Sequence, residues 1–275
     1  VGQAILAVAL EIVRAGARLV STHPRGAEAV LGDRREHLVD VLGRVHGAQP
    51  REHVERVLAE RDAAVVEAHH LDLTAVAAEA MGAVSHRFVA AISGTPGATW
   101  IAATGEEQPG AAAYGIALLS RFPATSWQVV RLPRIPTRFP MYLPGPHRVM
   151  VVDEEPRAAV IAQLETPLGP LSVANTHLSF VPGWNRRQLR RLVRDLRGLP
   201  GPRLLMGDLN LPAGPAERWS RMRSLASAAT FPADAPQRQL DHILTDHPGL
   251  RGLGPVAPAA PLSDHRPLVV DVDVV

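Results

Sequence analysis

The chain of 275 residues contains no cysteine, and 46% of its residues are hydrophobic. This length and composition allow one large or two small globular domains, while the lack of cysteine excludes disulfides, thiolate metal ligands and a cysteine nucleophile. All 29 cationic side chains are arginines, and the pI of 9.8 accompanies a formal net charge of only +2. Because arginine stays charged to very high pH, the high pI is a poor indicator of a nucleic-acid partner.

Residues 1–68 are predicted to form an atypical, mostly helical N-terminal segment. Apolar residues at helical spacing predict helices over residues 2–18, 27–46 and 50–61, and a short buried strand over 63–66. The apolar run 4–13 contains Glu11 and has no basic residue before it, which is untypical of a signal peptide. It is also too short to span a bilayer, so we expect no membrane span and a cytoplasmic protein.

The pattern changes near residue 68, and a second domain is predicted over residues 69–275. A helix is expected over 73–81, and short strands broken by Pro and Gly dominate from about Phe88 onwards. One further helix is predicted over 185–199. This alternation indicates an α/β domain with layered, mixed sheets. The predicted strands are residues 87–91, 115–120, 127–132, 158–165, 171–175, 204–207, 242–244 and 268–275.

Four short phrases in the second half of the chain each place an acid, an amide or an imidazole beside an apolar run. They are Asn175-Thr176-His177-Leu178, Gly207-Asp208-Leu209-Asn210, Gln239-Leu240-Asp241-His242-Ile243-Leu244 and Ser263-Asp264-His265-Arg266-Pro267. Taken singly, each phrase is more typical of a turn or a cap. Together they supply hard oxygen ligands and imidazoles, which are the components of a metal-assisted phosphoester hydrolase.

Several residues of these phrases have chemistry that suits such a site. On an extended strand end, Asp208 and Asn210 would point the same way and could orient a phosphate, a water or a hydrated Mg²⁺. The alternative without a catalytic role is an Asx turn that caps the strand. Asp241 could hydrogen-bond His265, fix its tautomer and raise its basicity. His177 could bond a phosphoryl oxygen or protonate the leaving oxygen.

The phrases, with Tyr114-Gly115-Ile116-Ala117-Leu118-Leu119-Ser120-Arg121 upstream, resemble the endonuclease/exonuclease/phosphatase superfamily of DNase I, exonuclease III-type nucleases, inositol-polyphosphate 5-phosphatases and sphingomyelinases. The resemblance covers roughly residues 71–275. It implies a DNase I-like layered α/β sandwich of two mixed β-sheets flanked by helices, with the site at one edge between the sheets. As an ordered set the phrases are specific for the superfamily, but they contain almost no information about the substrate.

The resemblance also implies catalytic roles. His265 would be the general base that activates water for in-line attack on phosphorus, and Asp241 would orient it. Asp208 and Asn210 would position the nucleophile and the phosphate. His177 would stabilise the phosphoryl oxygens or assist the leaving group.

The metal and phosphate contacts are where this sequence departs from the family. Asp264 would help to hold the metal, Mg²⁺ with Mn²⁺ as an alternative, and Tyr114 would lie near the phosphate, although Ile116 stands where the family frequently has Asn. Members usually open with a strand ending in Asn and a second strand ending in Gln-Glu, whose Glu is a principal Mg²⁺ ligand. Neither phrase is present, and no Asn precedes Asn175. Glu67, after a short apolar run, is the candidate for the missing ligand.

Three explanations for this departure stay open. In the first, the N-terminal region is a divergent version of the region found in the family. In the second, it results from a shifted reading frame or a misplaced start, which leaves strands of one sheet missing or replaced. In the third, the protein is a degenerate member that binds without cleaving. The predicted function is therefore a metal-dependent hydrolase that cleaves a phosphodiester or phosphomonoester bond. A catalytically inactive family member that acts as a binding protein is the alternative.

The predicted helix over 185–199 carries a cluster of arginines opposite an apolar stripe. These arginines could simply form a solvated outer face of the helix without a binding role. The functional explanation is that Trp184, Arg186 and Arg187 reach the site and bind a substrate phosphate or stack on a base. The segment 131–148, rich in Pro and Arg, is expected to form a loop that borders the site. A nucleic acid and a small phosphorylated molecule both stay open as the substrate.

Overall fold

Two large β-sheets, one separate two-stranded hairpin and three helices are found in the part of the chain that the computed structural model describes. The described residues are 4–13, 16–22, 73–94, 100–105, 113–143, 148–259 and 263–274. The strands are β1 (Ala4–Val13), β2 (Gly16–Thr22), β3 (Ser85–Gly94), β4 (Trp100–Ala102), β5 (Ala113–Ser120), β6 (Ala124–Leu132), β7 (Phe139–Leu143), β8 (Arg148–Val152), β9 (Arg157–Thr166), β10 (Gly169–His177), β11 (Arg203–Asp208), β12 (Arg223–Ser224), β13 (Asp241–Thr245), β14 (Leu250–Val256) and β15 (Leu268–Val274). The helices are α1 (Leu73–Met81), α2 (Trp184–Arg197) and α3 (Ala213–Ser220).

The strands form two facing layers. One sheet has the order β14-β15-β2-β1-β5-β3-β4, the other has the order β12-β13-β11-β10-β9-β6, and β7 pairs with β8 as a separate hairpin. Side chains from both sheets meet in one apolar core, for example Ile116 and Leu118 from the first sheet and Val160 and Met206 from the second. A second apolar cluster lies on the outer face of the six-stranded sheet, beneath α2. This is the layered α/β sandwich with mixed sheets that the sequence predicts.

The N-terminus corrects the sequence analysis. The predicted helix over 2–18 is wrong, because residues 4–13 form β1 and residues 16–22 form β2, and both strands lie in the middle of the seven-stranded sheet. Strand β1 runs parallel to β5 and antiparallel to β2, and β2 pairs in turn with β15. A short continuous apolar run has no decisive period, so these neighbouring strands determine its structure. The helices predicted over 27–46 and 50–61, the strand over 63–66 and Glu67 fall outside the described residues.

Helix α2 confirms the amphipathic pattern read from the sequence. Its side chains Leu189, Leu192, Val193 and Leu196 are buried against the six-stranded sheet. Burial of each such side chain contributes about 1.5–3 kcal/mol, which is enough to hold the helix on the sheet. No helix within the described ranges has the length and apolar character needed to cross a membrane.

The segment 131–148 is not the simple loop that the sequence predicts. Strand β6 continues to Leu132, and the hairpin of β7 and β8 follows, with Pro140 opposite Val151. Proline lacks a backbone N–H and is tolerated at the edge of a two-stranded ribbon. The many Pro and Arg residues of this segment led the sequence analysis to predict a loop, whereas the segment contains a separate hairpin.

Candidate active site

Three strands of the six-stranded sheet bring His177, Asp208 and Asp241 into one row. His177, at the end of β10, is the register partner of Asp208 at the end of β11, and Asp208 is the register partner of Asp241 at the start of β13. Register partners on paired strands point to the same face of a sheet, with Cα atoms about 5 Å apart. The row faces the other sheet, because Met206 and Ile243, two residues from Asp208 and Asp241 on their strands, belong to the core between the sheets.

Gly207 makes the close pairing of β10 and β11 possible. It has a φ of 120°, and a Cβ at this position would lie 1.9 Å from the carbonyl oxygen of Thr176. No residue other than glycine fits here without moving one of the strands. The glycine before Asp208 therefore sets the position of the carboxylate relative to His177.

Asp241 and His265 form a buried pair. The Nδ1 atom of His265 lies 2.7 Å from Asp241 Oδ2, which is the hydrogen bond predicted from the sequence, and the imidazole packs against Phe231 at 4.8 Å between ring centroids. Burial lowers the pKa of His265, but the hydrogen bond and the charge of Asp241, with the charges of Asp208 and Asp264, raise it to about 9. The bond places the Nδ1 hydrogen toward Asp241, so Nε2 is the nitrogen that can exchange a proton.

Asp208 is a buried carboxylate whose pKa is raised to about 7. Burial is the main cause, and the negative charge of Asp241 across the strand pair adds to it. The positive charges of His265 and Arg157 and the backbone N–H of Asn210 act in the opposite direction. That N–H donates to Asp208 Oδ1 at 2.8 Å. A carboxylate in this position favours a cation or a proton close to it.

Asn210 departs from the geometry that the sequence suggests. Strand β11 ends at Asp208, and Asn210 has a φ of 48°, so the two side chains do not sit on one extended strand. The two residues form the Asx turn that the sequence analysis gave as the alternative, because the Asn210 N–H donates a hydrogen bond to the Asp208 side chain. The Asn210 amide Nδ2 donates to Leu178 O at 3.0 Å and lies 3.4 Å from Asp208 Oδ2. The amide and the carboxylate therefore still meet, through a turn.

His177 is held in one tautomer by its neighbours. Its Nδ1 lies 3.2 Å from the Tyr114 hydroxyl and 3.5 Å from Arg157 Nη1. Burial raises the pKa of Tyr114 to about 12, so the phenol keeps its proton, and arginine is only a donor. Both groups therefore donate to Nδ1, and the ring hydrogen lies on Nε2, which faces Asp208 Oδ2 at 3.4 Å.

Arg157 is a residue of the site that the sequence analysis does not identify. Its side chain is 6% exposed, it begins β9, and it contacts His177 from the side opposite Asp208. The neighbouring Glu154 is 1% exposed and accepts a hydrogen bond from the hydroxyl of Ser179. A buried arginine next to a histidine and a tyrosine is a suitable group for binding an anionic oxygen. The only local signal was a charged residue at the start of an apolar strand.

The remaining predicted residues lie at the rim or on the outer face. Asp264 is exposed, but its charge reaches the site, because it contributes to the raised pKa values of His265 and Tyr114. The Trp184 Nε1–H donates to Pro133 O at 2.8 Å. Arg187 stacks on Trp184 and Arg186 on Trp219, so the described contacts of both guanidinium groups lie on the outer surface of α2.

His242, next to Asp241, is a structural residue rather than part of the site. It is fully buried, and burial lowers its pKa. Its Nε2 lies 2.7 Å from Leu211 O. Successive residues of a strand point to opposite faces, so His242 faces away from the row that contains Asp241.

The oxygens of the row suit a hard divalent cation. Asp241 Oδ1 is buried and has no hydrogen-bond partner among the residues that the structure describes, and the charge of Asp241 helps to raise the pKa of Asp208 across the strand pair. Mg²⁺ prefers carboxylate and amide oxygens and retains several waters. Within the described residues, no three His or acidic side chains converge closely enough to form a complete site. A metal here would therefore need water or a ligand from another part of the chain.

Comparison with known proteins decides the family. A sequence model of the endonuclease/exonuclease/phosphatase family matches residues 30–265. The chain belongs to this family. Its enzymes generally depend on divalent metal ions and act on phosphoesters. No protein of curated function matches the sequence significantly.

Solved structures of the endonuclease/exonuclease/phosphatase family share the fold of the chain. A member from Beutenbergia cavernae is 21% identical, with a TM-score of 0.52 over 74% of this chain and 57% of that one. A member from Bacteroides thetaiotaomicron is 13% identical, with a TM-score of 0.53 over 98% and 97% of the two chains. A mannosyl-6-phosphatase from the same species is 14% identical, with a TM-score of 0.53 over 98% and 99%. The chain spans little more than half of the Beutenbergia protein. These similarities confirm the DNase I-like sandwich.

Proposed function

We propose that the protein is a divalent-metal-dependent phosphoesterase that hydrolyses a phosphodiester or phosphomonoester bond by attack of an activated water. The observation that carries the proposal is the row of His177, Asp208 and Asp241, with His265 hydrogen-bonded to Asp241 at 2.7 Å. This arrangement holds an oriented base, a carboxylate and a hydrogen-bond donor at one edge between the two sheets. Family membership supports phosphoester chemistry at that edge.

The row and the residues that contact it, His265, Asn210, Tyr114 and Arg157, have distinct roles in the proposed reaction. His265 takes the proton of the attacking water on Nε2, and the resulting imidazolium is stabilised by Asp241. Asp208 and Asn210 orient the water and the phosphate through the turn that joins them. The Nε2–H of His177 can donate to a phosphoryl oxygen, and Tyr114 and Arg157 hold the hydrogen on that nitrogen.

A metal would be held next to these residues. Asp208 and the exposed carboxylate of Asp264 would hold it, with Glu67 as the further ligand. When bound, Mg²⁺ or Mn²⁺ would supply positive charge that stabilises the phosphoryl oxygens. The alternative, a family member that binds without cleaving, is motivated by the lack of the N-terminal Asn and Gln-Glu phrases.

Hydrolysis of bis-p-nitrophenyl phosphate and p-nitrophenyl phosphate tests the proposal. With purified protein we expect turnover in Mg²⁺ or Mn²⁺ that stops in EDTA, and the ratio of the two rates tells diesterase from monoesterase. Absence of turnover on both substrates, from folded protein with either metal, would favour the inactive binding protein. The likeness to the mannosyl-6-phosphatase shows the fold alone, so both substrate types are needed.

Glu67→Gln tests the missing metal ligand. If Glu67 holds the metal, we expect the Mg²⁺ concentration for half-maximal turnover to rise roughly tenfold or more, because a carboxylate ligand is lost. Glu79→Gln, on the exposed side of α1, is the matched control and should leave the metal dependence unchanged. A metal titration of the Glu67 variant that overlays the wild type would remove Glu67 from the site.

Arg157→Gln tests the buried guanidinium. We expect kcat/KM to fall about 100-fold, because Arg157 supplies positive charge near the phosphoryl oxygens and helps to fix the tautomer of His177. Arg157→Lys should recover only part of the loss, since lysine keeps the charge and lacks the planar fork. The control is Arg87→Gln, an exposed arginine of β3. If the Gln and Lys variants both had the wild-type kcat/KM, Arg157 would have no part in turnover.

A further inference from the structure

Eight arginines cover the outer surface of α2 and the end of α3, and all eight are exposed. We call this surface the arginine face; it comprises Arg186, Arg187, Arg190, Arg191, Arg194, Arg197, Arg218 and Arg221. Among the residues that the structure describes, none of the eight forms an ion pair with a carboxylate. Only two acidic residues, Asp195 and Glu217, lie on the same two helices, and Glu217 accepts a hydrogen bond from the backbone of Ser224.

The arginine face is concave rather than flat. Its centre is a groove of about 480 Å³ between α2 and α3, in which Arg190, Arg194, Arg197, Arg218 and Arg221 surround Val193 and Trp219. A second groove of about 650 Å³ continues along α2, lined by Trp184, Arg187, Arg191 and the acidic Asp195, and it shares Arg190 and Arg194 with the first. The cations therefore line a continuous concave path along the helix.

Trp219 brings several like charges together. The guanidinium carbons of Arg190, Arg186 and Arg218 lie 4.2, 5.2 and 5.8 Å from the centre of its ring. The ring face attracts each cation, but the cations repel one another. A bound polyanion would relieve that repulsion.

The length of the arginine face matches an extended polyanion. Helix α2 has 14 residues and is therefore about 21 Å long. One strand of B-form DNA carries a phosphate about every 3.4 Å along its axis, so the helix spans about six phosphates. A single small anion is too short to reach all eight cations along the helix, whereas a nucleic-acid backbone can engage most of them.

We propose that the arginine face is a binding site for the phosphodiester backbone of a nucleic acid, separate from the row at the sheet edge. The face begins beside the candidate active site, because the Asn185 side chain donates to Asn210 O at 3.0 Å, and it extends away from there along α2. Recognition is independent of base sequence, since the guanidinium groups contact phosphates. The half-buried rings of Trp184 and Trp219 can stack on exposed bases.

The surface fits a nucleic acid better than a lipid bilayer. A membrane-binding amphipathic helix turns apolar side chains toward the acyl chains. In the described part of the chain, the large apolar side chains that are exposed all lie outside α2 and α3, and the apolar stripe of α2 is buried on the sheet. The arginine face therefore offers charge and indole rings without an apolar surface that could insert.

The test is binding of fluorescent single-stranded and duplex DNA, measured by anisotropy against NaCl concentration in EDTA, where no metal-dependent hydrolysis occurs. The variant is Arg190→Gln with Arg194→Gln and Arg218→Gln. Its matched control replaces the exposed arginines Arg87, Arg238 and Arg251 by Gln, so both proteins lose the same charge. Hydrolysis of bis-p-nitrophenyl phosphate is measured for both, so that a defect of the active site is seen separately.

We expect the wild type to bind with a steep salt dependence, and the variant to bind at least tenfold more weakly at low salt. Its slope of log K against log salt should be shallower by about 2 to 3, since about three phosphate contacts are lost. The control should lose much less. The proposal is overturned if the wild type does not bind DNA, if variant and control weaken equally, or if the wild type binds phosphatidylserine vesicles and not DNA.

Discussion

Replacing His265 with glutamine is expected to lower kcat for phosphoester hydrolysis about 1,000-fold, while the fold is retained. A positioned general base contributes roughly 100- to 10,000-fold to a rate, and glutamine keeps a similar size but cannot take a proton. The side chain is buried in its pair with Asp241, so some loss of stability is expected because the variant leaves this carboxylate without its imidazole partner. Stopped assays with either p-nitrophenyl substrate measure the rate, and thermal unfolding checks the fold.

The pH dependence separates a base from a structural histidine. Because the pKa of His265 is raised to about 9, the imidazole is mostly protonated near neutral pH in the metal-free protein, and the rate should rise with pH toward that value. In Asp241→Asn the charge that raises the pKa is lost, so the rising limb should move to lower pH while kcat falls.

His86→Gln is the control for His265, because His86 is exposed on β3 and outside the row. It should leave both the rate and the pH profile as in the wild type. A His265→Gln protein that turned over at the wild-type rate, or an Asp241→Asn limb that did not move, would remove this pair from the reaction.

The sequence predicted the second half of the fold well and the first strands wrongly, for a physical reason. Strands such as β9 and β11 are short apolar runs bounded by turn residues, and that local signal is sufficient. The run that forms β1 has the same composition as a buried helix, and only its pairing with β2 and β5 makes it a strand. Strand β14, with Gly252, Gly254 and Pro255, was missed because its residues are typical of a turn.

The site shows the same division between local and distant information. His177, Asp208 and Asp241 could be identified because each ends or begins a strand within a recognisable phrase. Their arrangement in one row depends on strand register, which no phrase contains. Arg157 belongs to no phrase, and its contact with His177 crosses from one strand to the next. Such buried charges are found from the packing, not from the sequence.

Replacing Asp208 with asparagine is expected to have two large and opposite effects: loss of turnover by about 1,000-fold and a gain in the stability of the metal-free protein at alkaline pH. Burial raises the pKa of Asp208 from its usual value of 3.8 to about 7, so this pKa is higher in the folded than in the unfolded chain. A raised pKa contributes stability that is fully present below pH 3.8 and is lost as the pH rises through about 7. Above that pH the buried charge costs about 4 kcal/mol.

Asparagine has almost the same shape and no charge to bury, so Asp208→Asn should unfold like the wild type near pH 4 and be more stable by about 2 to 4 kcal/mol near pH 8.5. Urea unfolding in EDTA at the two pH values measures this difference. His265 also loses its contribution between pH 6.5 and about 9, and part of that contribution comes from the charge of Asp208. The difference between the two proteins therefore reports on Asp208 together with its attraction to His265.

Asp234→Asn, an exposed aspartate, controls for the removal of one negative charge and should change stability little at either pH. Added Mg²⁺ should stabilise the wild type and have less effect on Asp208→Asn, because a ligand bound only by the folded state raises stability in proportion to its affinity. If the variant were no more stable than the wild type at alkaline pH, Asp208 would not carry a costly buried charge. If Mg²⁺ stabilised both proteins equally, Asp208 would have no part in holding the metal. If the variant gains stability and loses turnover, the Asp208 carboxylate contributes to catalysis while it lowers the stability of the folded protein.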